Sequence, residues 1–489
     1  MKLKRLAYVV ALSSSLSMPL AASEIKQTGA DESRQPNIVI LFADDLGYAD
    51  AGFQNQSKDV HTPNLDRLAA NGVVFTDGYV TAPVSGPSRV GLLTGRYQQR
   101  FGYHDNVAPF VLEEGIEQGL PLDIPTIANF FKDAGYRTGM VGKWHDGDDQ
   151  KFWPYNRGFE AFYGFNNGAT NYFVGADNIK TYVKTPYYSI YRDDELVDNF
   201  EEYLTDRFGS EAVDYINRHK DDPFFLYMSF NAVHDPMDAT EEDLKKFAHI
   251  EDENRRKLVA MGYAMDRNVG RIMDAIDDNG LAEDTLIFFL SDNGGKATGN
   301  NSVNYSLNTP LRDQKGTLWD GGIRVPFTVT WKGTIPAGQT MNEPVIALDI
   351  LPTSLAAANI QSKPEWKLDG VNILPYLKGD QAQLQDRSLF WDNWRSSAVR
   401  DRDWKLIIPN KNMKNARPQL FKISDDIGEQ RNVMADYPEE AARLMQRFES
   451  WNQNNKPQKW GWNRKAFPVN NGYRHFGEEV KKGKEVKKQ

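Results

Sequence analysis

The expected buried strand Asn37–Phe42, apolar from Ile38, leads to two aspartates, Asp44 and Asp45, and the same arrangement recurs at Leu286–Leu290, followed by Ser291-Asp292-Asn293-Gly294. A short apolar run bounded by polar turn residues predicts a strand buried on both faces. Around these runs the pattern alternates. Thr126–Ala134 reads as a helix stopped by Gly135, and Arg137–Val141 as a strand running into Gly142-Lys143-Trp144-His145. Asp206–Arg218 reads as a helix, Phe224–Phe230 as a strand before a turn carrying His234, and Glu253–Asn279 as a long helix. The alternation predicts an α/β fold, a large mostly parallel or mixed sheet sandwiched by helices. Its polar residues gather after strands, at the carboxyl edge where open α/β sheets bind ligands.

The alternation stops near Leu374–Asp380. Ser388–Trp391, Ser397–Arg400, Lys405–Ile408 and Gln419–Ile423 read as short strands, followed by an amphipathic helix at Pro438–Trp451. The expected organisation is a catalytic α/β domain over 35–380, a smaller C-terminal α+β subdomain with an antiparallel sheet over 385–465, and a solvated basic tail over 466–489. At the other end, Lys2, Lys4 and Arg5 precede the apolar run Leu6–Leu12 and small residues at Ala21, Ala22 and Ser23, the layout of a signal peptide over 1–22. Serines interrupt the run well before the roughly 18 apolar residues that a membrane anchor needs. Export, most simply to the periplasm of a Gram-negative bacterium, is the expectation. Cleavage after Ala22 removes three positive charges and takes the net charge from −9 to −12, which argues against a nucleic-acid partner. The absence of cysteine excludes disulfides, thiolate metal sites and thiol catalysis.

Asp44, Asp45, Asp292 and Asn293 offer three carboxylates and an amide oxygen, a donor set for a hard cation, Ca²⁺ or Mg²⁺ rather than Zn²⁺. A lone Asp-Asp pair is more often a turn or cap; two pairs after neighbouring strands favour a site. In Pro83-Val84-Ser85-Gly86-Pro87-Ser88-Arg89, Pro87 and Ser88 read as the first turn of a helix, with Ser85 just before its N-terminus. There Ser85 is either an N-cap or a nucleophile, and the latter needs a base that sequence cannot place.

These residues resemble the signature of the formylglycine-dependent sulfatases of the alkaline phosphatase superfamily, Ser/Cys-x-Pro-Ser-Arg followed by Thr-Gly, met by Ser85, Pro87, Ser88, Arg89, Thr94 and Gly95. Further family blocks occur in order: Asp44-Asp45-Leu46-Gly47, Gly142-Lys143-Trp144-His145, His234 with Pro236, Ser291-Asp292-Asn293-Gly294, and Lys315-Gly316-Thr317 before Gly321-Gly322-Ile323-Arg324. The resemblance spans roughly Asn37 to Met434 and implies an alkaline phosphatase-like fold. It also implies conversion of Ser85 to formylglycine by a maturating enzyme of the anaerobic type, and one Ca²⁺ held by Asp44, Asp45, the modified Ser85, Asp292 and Asn293. Arg89 and Lys143 would hold the hydrated aldehyde, His145 would deprotonate its free hydroxyl, and His234 and Lys315 would serve the sulfate ester and its leaving oxygen. This chain departs from the family in having Asp146 after His145, where its charge would alter the histidine's pKa, and Val233 before His234.

Candidate substrate contacts are His104, Asn166, Asn167, Tyr172, Arg312, Trp391 and Arg395. The segment Phe159–Asn178, rich in Gly, Asn and aromatics, suits a sugar-binding loop and equally a structural one, and Trp391, Trp394 and Arg395 could reach the same cleft. The resemblance is to secreted bacterial polysaccharide sulfatases, which makes a sulfated glycan, first a carrageenan-type galactan, the expected substrate. The alternatives are a phosphonate monoester or phosphodiester hydrolase of the same superfamily, or a non-catalytic glycan-binding protein if Ser85 stays unconverted.

Overall fold

Strand β1 (Asn37–Ala43) is buried at every position and divides its side chains between two cores, with Val39, Leu41 and Ala43 on one face and Ile38, Ile40 and Phe42 on the other. A strand needs apolar residues on both faces only where helices cover both sides of the sheet. The computed structural model describes residues 34–107, 118–173, 189–197, 202–297, 304–393, 395–409 and 417–460. The expected signal peptide, the basic tail, Trp394 and the end of the Phe159–Asn178 segment lie outside the described residues.

After β1 come β2 (Val73–Phe75), β3 (Gly78–Tyr79), β4 (Arg137–Lys143), β5 (Ala161–Phe165), β6 (Ile190–Arg192), β7 (Glu195–Val197), β8 (Phe224–Ser229), β9 (Thr285–Ser291), β10 (Phe327–Thr330), β11 (Gln339–Met341) and β12 (Val345–Ile346). They form a ten-stranded sheet in the order β11-β2-β10-β9-β1-β8-β4-β5-β6-β7, with β3 and β12 paired separately. Strands β9, β1, β8, β4 and β5 run parallel, while β10, β6 and β7 join antiparallel, so the sheet is mixed. Its register levels the C-terminal ends: Ala43 lies opposite Ser291, Phe42 opposite Ser229, Ser229 opposite Gly142, and Lys143 opposite Phe165.

The helices are α1 (Pro63–Ala70), α2 (Ser85–Thr94), α3 (Ile127–Asp133), α4 (Leu204–Arg218), α5 (Glu241–Lys246), α6 (Glu253–Asp278), α7 (Asp320–Ile323), α8 (Ile350–Ala357), α9 (Leu374–Leu377) and α10 (Pro438–Asn452). Residues of α1, α4 and α6 pack into the Val39 core, and residues of α2, α3 and α8 into the Ile38 core. Thr126 begins α3 with a reciprocal capping box to Asn129. Among the described residues no helix is long and apolar enough to cross a membrane.

The C-terminal part is a four-stranded antiparallel sheet of β13 (Ser388–Asp392), β14 (Ser396–Asp401), β15 (Trp404–Pro409) and β16 (Gln419–Lys422), covered by Leu444, Phe448 and Trp451 of α10. Fully buried Lys405 of β15 pairs with Asp320 of α7 at 2.6 Å and with Glu429 at 2.8 Å. This ionic contact ties the small sheet to the segment that follows Lys315.

Asp266 on α6 accepts hydrogen bonds from the backbone N–H groups of Asn64 (3.0 Å) and Leu65 (2.7 Å), the first turn of α1, which otherwise have no helical partner. Burial raises its carboxyl to about 6, against those hydrogen bonds. Replacing Asp266 with Ala strands two N–H groups and is expected to lower unfolding free energy by about 2–3 kcal/mol, measured by urea unfolding. The folded state holds the Asp266 proton more tightly than the unfolded chain, so this residue's contribution declines as pH rises from about 4 to about 6. The gap between wild type and Asp266→Ala should narrow over that window.

Candidate active site

The level strand ends bring the sequence-predicted groups to one edge. Asp44 and Asp45 leave β1, Asp292 and Asn293 leave β9, Lys143 closes β4, and His234 follows β8. Asp45 and His145 take left-handed backbone angles, φ +61° and +67°, a region that Asp and His enter more readily than most residues and that turns the chain sharply after a strand. Gly142 (φ +105°) lets β4 approach β8: a Cβ there would lie 1.8 Å from the Ser229 carbonyl oxygen.

Ser85 is the first residue of α2, not the residue before it, and makes no capping bond. Its Oγ lies 3.4 Å from Asp44 Oδ1, and Lys143 Nζ donates to it at 3.3 Å. The Lys143 ammonium also binds Asp44 Oδ2 at 2.7 Å. One turn along α2, the Arg89 guanidinium donates to Asp292 Oδ2 (2.9 Å) and to Ser229 Oγ, and sits 5.1 Å above the Phe42 ring. Lys315 Nζ binds Asp45 Oδ1 at 2.5 Å, and Asn293 Nδ2 donates to the same oxygen at 2.8 Å. His234 Nε2 is 3.7 Å from Asp45 Oδ2. Its Nδ1 lies 2.5 Å from the Asp235 carbonyl oxygen, which can only accept, so Nδ1 carries the proton. Lys296 holds the Asp235 carboxylate at 2.6 Å.

Burial works on every group here, and the neighbours decide its outcome. Burial alone would raise the Asp45 carboxyl, but Lys315 and His234 hold it well below the usual range. Burial, reinforced by the negative charge of Asp44, pushes Asp292 up. Burial lowers Lys143 against the pull of Asp44, whereas Asp45 and Asp44 overcome burial at Lys315 and raise it. Burial carries His234 down to about 3 despite Asp45. His145 falls well below the usual histidine range through burial and then the charges of Lys143 and Arg89, so its imidazole is neutral and able to accept a proton. At Asp146, burial raises the carboxyl well above the usual range, against the pull of Arg89, Arg157 and Lys143.

The donor set suits a hard cation. Asp44, Asp45 and Asp292 are fully buried, and the buried Asp45 Oδ2 and Asn293 Oδ1 have no hydrogen-bond partner. Unpartnered buried oxygens are costly unless an ion or water meets them. Asp44, Asp45 and His234 also present ligand atoms within 4.8 Å of one another. Oxygens dominate, as for Ca²⁺ or Mg²⁺.

Of the candidate substrate contacts, three are committed elsewhere. Trp391 is fully buried, its Nε1 donates to the Val80 carbonyl at 2.6 Å and its ring packs on Tyr79, so it offers no face to a sugar. Arg312 lies 3.6 Å over the Trp319 ring and donates to the Glu429 carbonyl, a contact that joins the two parts of the chain. Tyr172 is buried, with its hydroxyl on the carbonyls of Asn231 and His234. Asn166 and Asn167 are buried, and the Asn166 carbonyl receives the His145 N–H at 3.1 Å. His104 Nε2 is 3.5 Å from Asp392 Oδ2, linking the loop after α2 to the end of β13. Arg395 is exposed at the β13–β14 turn, and its charge reaches Asp313, two residues before Lys315. Sequence reading missed Ser229 and Asn106, whose Oδ1 receives the Gly86 N–H at 2.8 Å. Ser229 carries a readable signal, a polar residue closing a buried strand.

The Sulfatase family model matches residues 36–360. The N-acetylgalactosamine-6-sulfatase of Sus scrofa is 33% identical over 392 residues, covering 77% of this chain and 72% of the relative. The uncharacterized sulfatase YdeN of Escherichia coli K12 is 28% identical over 510 residues, covering 86% of each. Among solved structures, that of Ps i-CgsB in complex with k-i-k-neocarrahexaose superposes with a TM-score of 0.82 at 34% identity, over 89% of this chain and 97% of the other. A helix opening on Ser85 beside carboxylates, two lysines and two histidines, on a chain matched over this length, leads to one conclusion: the chain belongs to the Sulfatase family and is a sulfuric ester hydrolase.

Proposed function

We propose that the chain hydrolyses sulfate esters of a carrageenan-type galactan outside the cytoplasm, with Ser85 oxidised to formylglycine and one Ca²⁺ at Asp44, Asp45, Asp292 and Asn293. The observation that carries the chemistry is the position of Ser85 Oγ, between Asp44 and Lys143 at the start of α2. The substrate class is supported by the likeness to i-CgsB, which was solved with a neocarrahexaose. Export is supported by the leader pattern over 1–22, and conversion of Ser85 calls for a maturating enzyme acting before export.

The cation, where bound, supplies positive charge to the sulfuryl oxygens and acidity to a hydroxyl at residue 85. The hydrated formylglycine supplies two hydroxyls on one carbon, one to attack sulfur and one whose deprotonation releases sulfate. Around them the chain's own groups divide the work. Arg89 and Lys143, fully buried and hydrogen-bonded to carboxylates, fix the residue-85 oxygens and offset developing negative charge. Neutral His145 accepts the proton of the second hydroxyl. His234, with its Nδ1 proton committed to the Asp235 carbonyl, presents Nε2 beside Asp45 and Lys315; Nε2 is bare in the neutral ring, so it takes up a proton, favoured by the negative charge of the bound sulfate ester, before giving one to the leaving oxygen. Lys315 is held charged by the same carboxylates.

Three expected outcomes test this reading. Sulfate release should be measured on a panel of defined sulfated oligosaccharides, with release from carrageenan oligosaccharides expected and release confined to N-acetylgalactosamine 6-sulfate reassigning the substrate. His234→Ala and Lys315→Ala should lose about 100-fold or more in kcat on sugar sulfates and far less on 4-nitrophenyl sulfate, whose leaving group hardly needs a proton. Equal losses on both would remove the leaving-group role. The Ser85 peptide of active enzyme should be lighter than the unmodified peptide by the mass of two hydrogens, with activity scaling with the converted fraction; full multiple-turnover activity at the unmodified mass would refute the formylglycine assignment.

A further inference from the structure

We propose that Tyr172 and Tyr203 form a brace that positions His234 for its leaving-group role, and this inference rests on the role assigned to His234 above. The segment from Asn231 to Asp238 has no helix or strand, yet it must hold one imidazole in place. On one side the backbone after β1 grips it: Asp44 N–H donates to the Ala232 carbonyl at 2.9 Å, and Val233 N–H to the Asp44 carbonyl at 2.7 Å. On the other side stand the two tyrosines.

The Tyr172 hydroxyl lies 2.6 Å from the Asn231 carbonyl oxygen and 2.9 Å from that of His234. One phenolic proton is thus shared between the two carbonyls that bound the turn, itself closed by His234 N–H on the Asn231 carbonyl at 3.0 Å. The peptide so fixed leads directly to the Asp235 carbonyl that holds Nδ1. Tyr203 donates to the Asp238 carbonyl at 2.8 Å, at the far end of the segment. The rings stack with centroids 5.5 Å apart and planes 19° apart, and Leu204 N–H donates to the Tyr172 carbonyl at 2.8 Å, so the two phenols form one rigid unit. Tyr172 is 1% and Tyr203 5% exposed. Burial raises both phenols above the usual tyrosine range, so both remain donors at any working pH.

Any buried phenol must find an acceptor; here both hydroxyl protons go to carbonyls of the one segment that carries His234. As positioning residues they act through His234, and their loss should show the kinetic signature of His234 rather than a uniform decline. Tyr172→Phe, Tyr203→Phe and the double variant, which keep the stacked rings, should be compared with His234→Ala on phenyl sulfate and 4-nitrophenyl sulfate. Calcium content and thermal midpoint should be measured alongside. Losing a hydrogen bond that orients the acid is expected to lower kcat on phenyl sulfate about 10-fold in Tyr172→Phe, with a loss under about 3-fold on 4-nitrophenyl sulfate. KM and calcium content should be unchanged, and adding Tyr172→Phe to His234→Ala should cost nothing further. Equal losses on both esters, or a further loss in the His234→Ala background, beside a His234→Ala variant that does discriminate, would overturn the brace alone. A His234→Ala variant that fails to discriminate would overturn both the brace and the leaving-group role.

Discussion

Three fully buried carboxylates, Asp44, Asp45 and Asp292, meet at the end of two adjacent strands, and the rest of the site follows from the need to balance them. Isolated buried charge is prohibitive, and a buried pair holds only with good geometry and satisfied oxygens. The chain answers with Arg89 from α2, Lys143 from β4 and Lys315 from the segment before α7, each within hydrogen-bond reach of one carboxylate. Those cations come from residues more than 40 positions apart in sequence, so the sheet register is what makes them neighbours. The same balance leaves oxygens of Asp45 and Asn293 without a protein partner, which is the opening for a hard cation.

The charges also dictate where a proton can reside. Burial and then the neighbouring cations lower His145, while burial raises Asp146, the departure from the family pattern beside it. His234 stands on the other side of Asp45 with one ring nitrogen fixed by its own backbone. The two histidines thus follow different strands, β4 and β8, and the segment after β5 meets both: Asn166 receives the His145 N–H, and Tyr172 holds the carbonyls around His234.

The strands and the oxygen ligands were legible because both rest on local pattern. Ile38–Phe42 and Leu286–Leu290 are apolar without interruption, and the structure extends the expected strands Asn37–Phe42 and Leu286–Leu290 only by flanking residues, to Asn37–Ala43 and Thr285–Ser291. The four short C-terminal strands fell within a residue or so of their observed limits for the same reason. Ser85 was placed one position too early, since Pro87 marks a first turn without saying which of its two predecessors opens the helix. Side-chain direction was not legible. Aromatics and Asn in a Gly-rich segment describe a sugar platform and a packed loop equally well, and Tyr172, Trp391 and Arg312 turned out to hydrogen-bond backbone carbonyls 59 to 311 residues away.

The central claim is that these carboxylates and Asn293 are built around one hard cation, and elemental analysis coupled to calorimetric titration of chelator-stripped protein tests it most directly. The account predicts one Ca²⁺ per chain, bound by the wild type and lost in Asp45→Asn and Asn293→Ala variants that remain folded. Stoichiometric Zn²⁺ in its place, or full activity with no divalent cation bound, would contradict it.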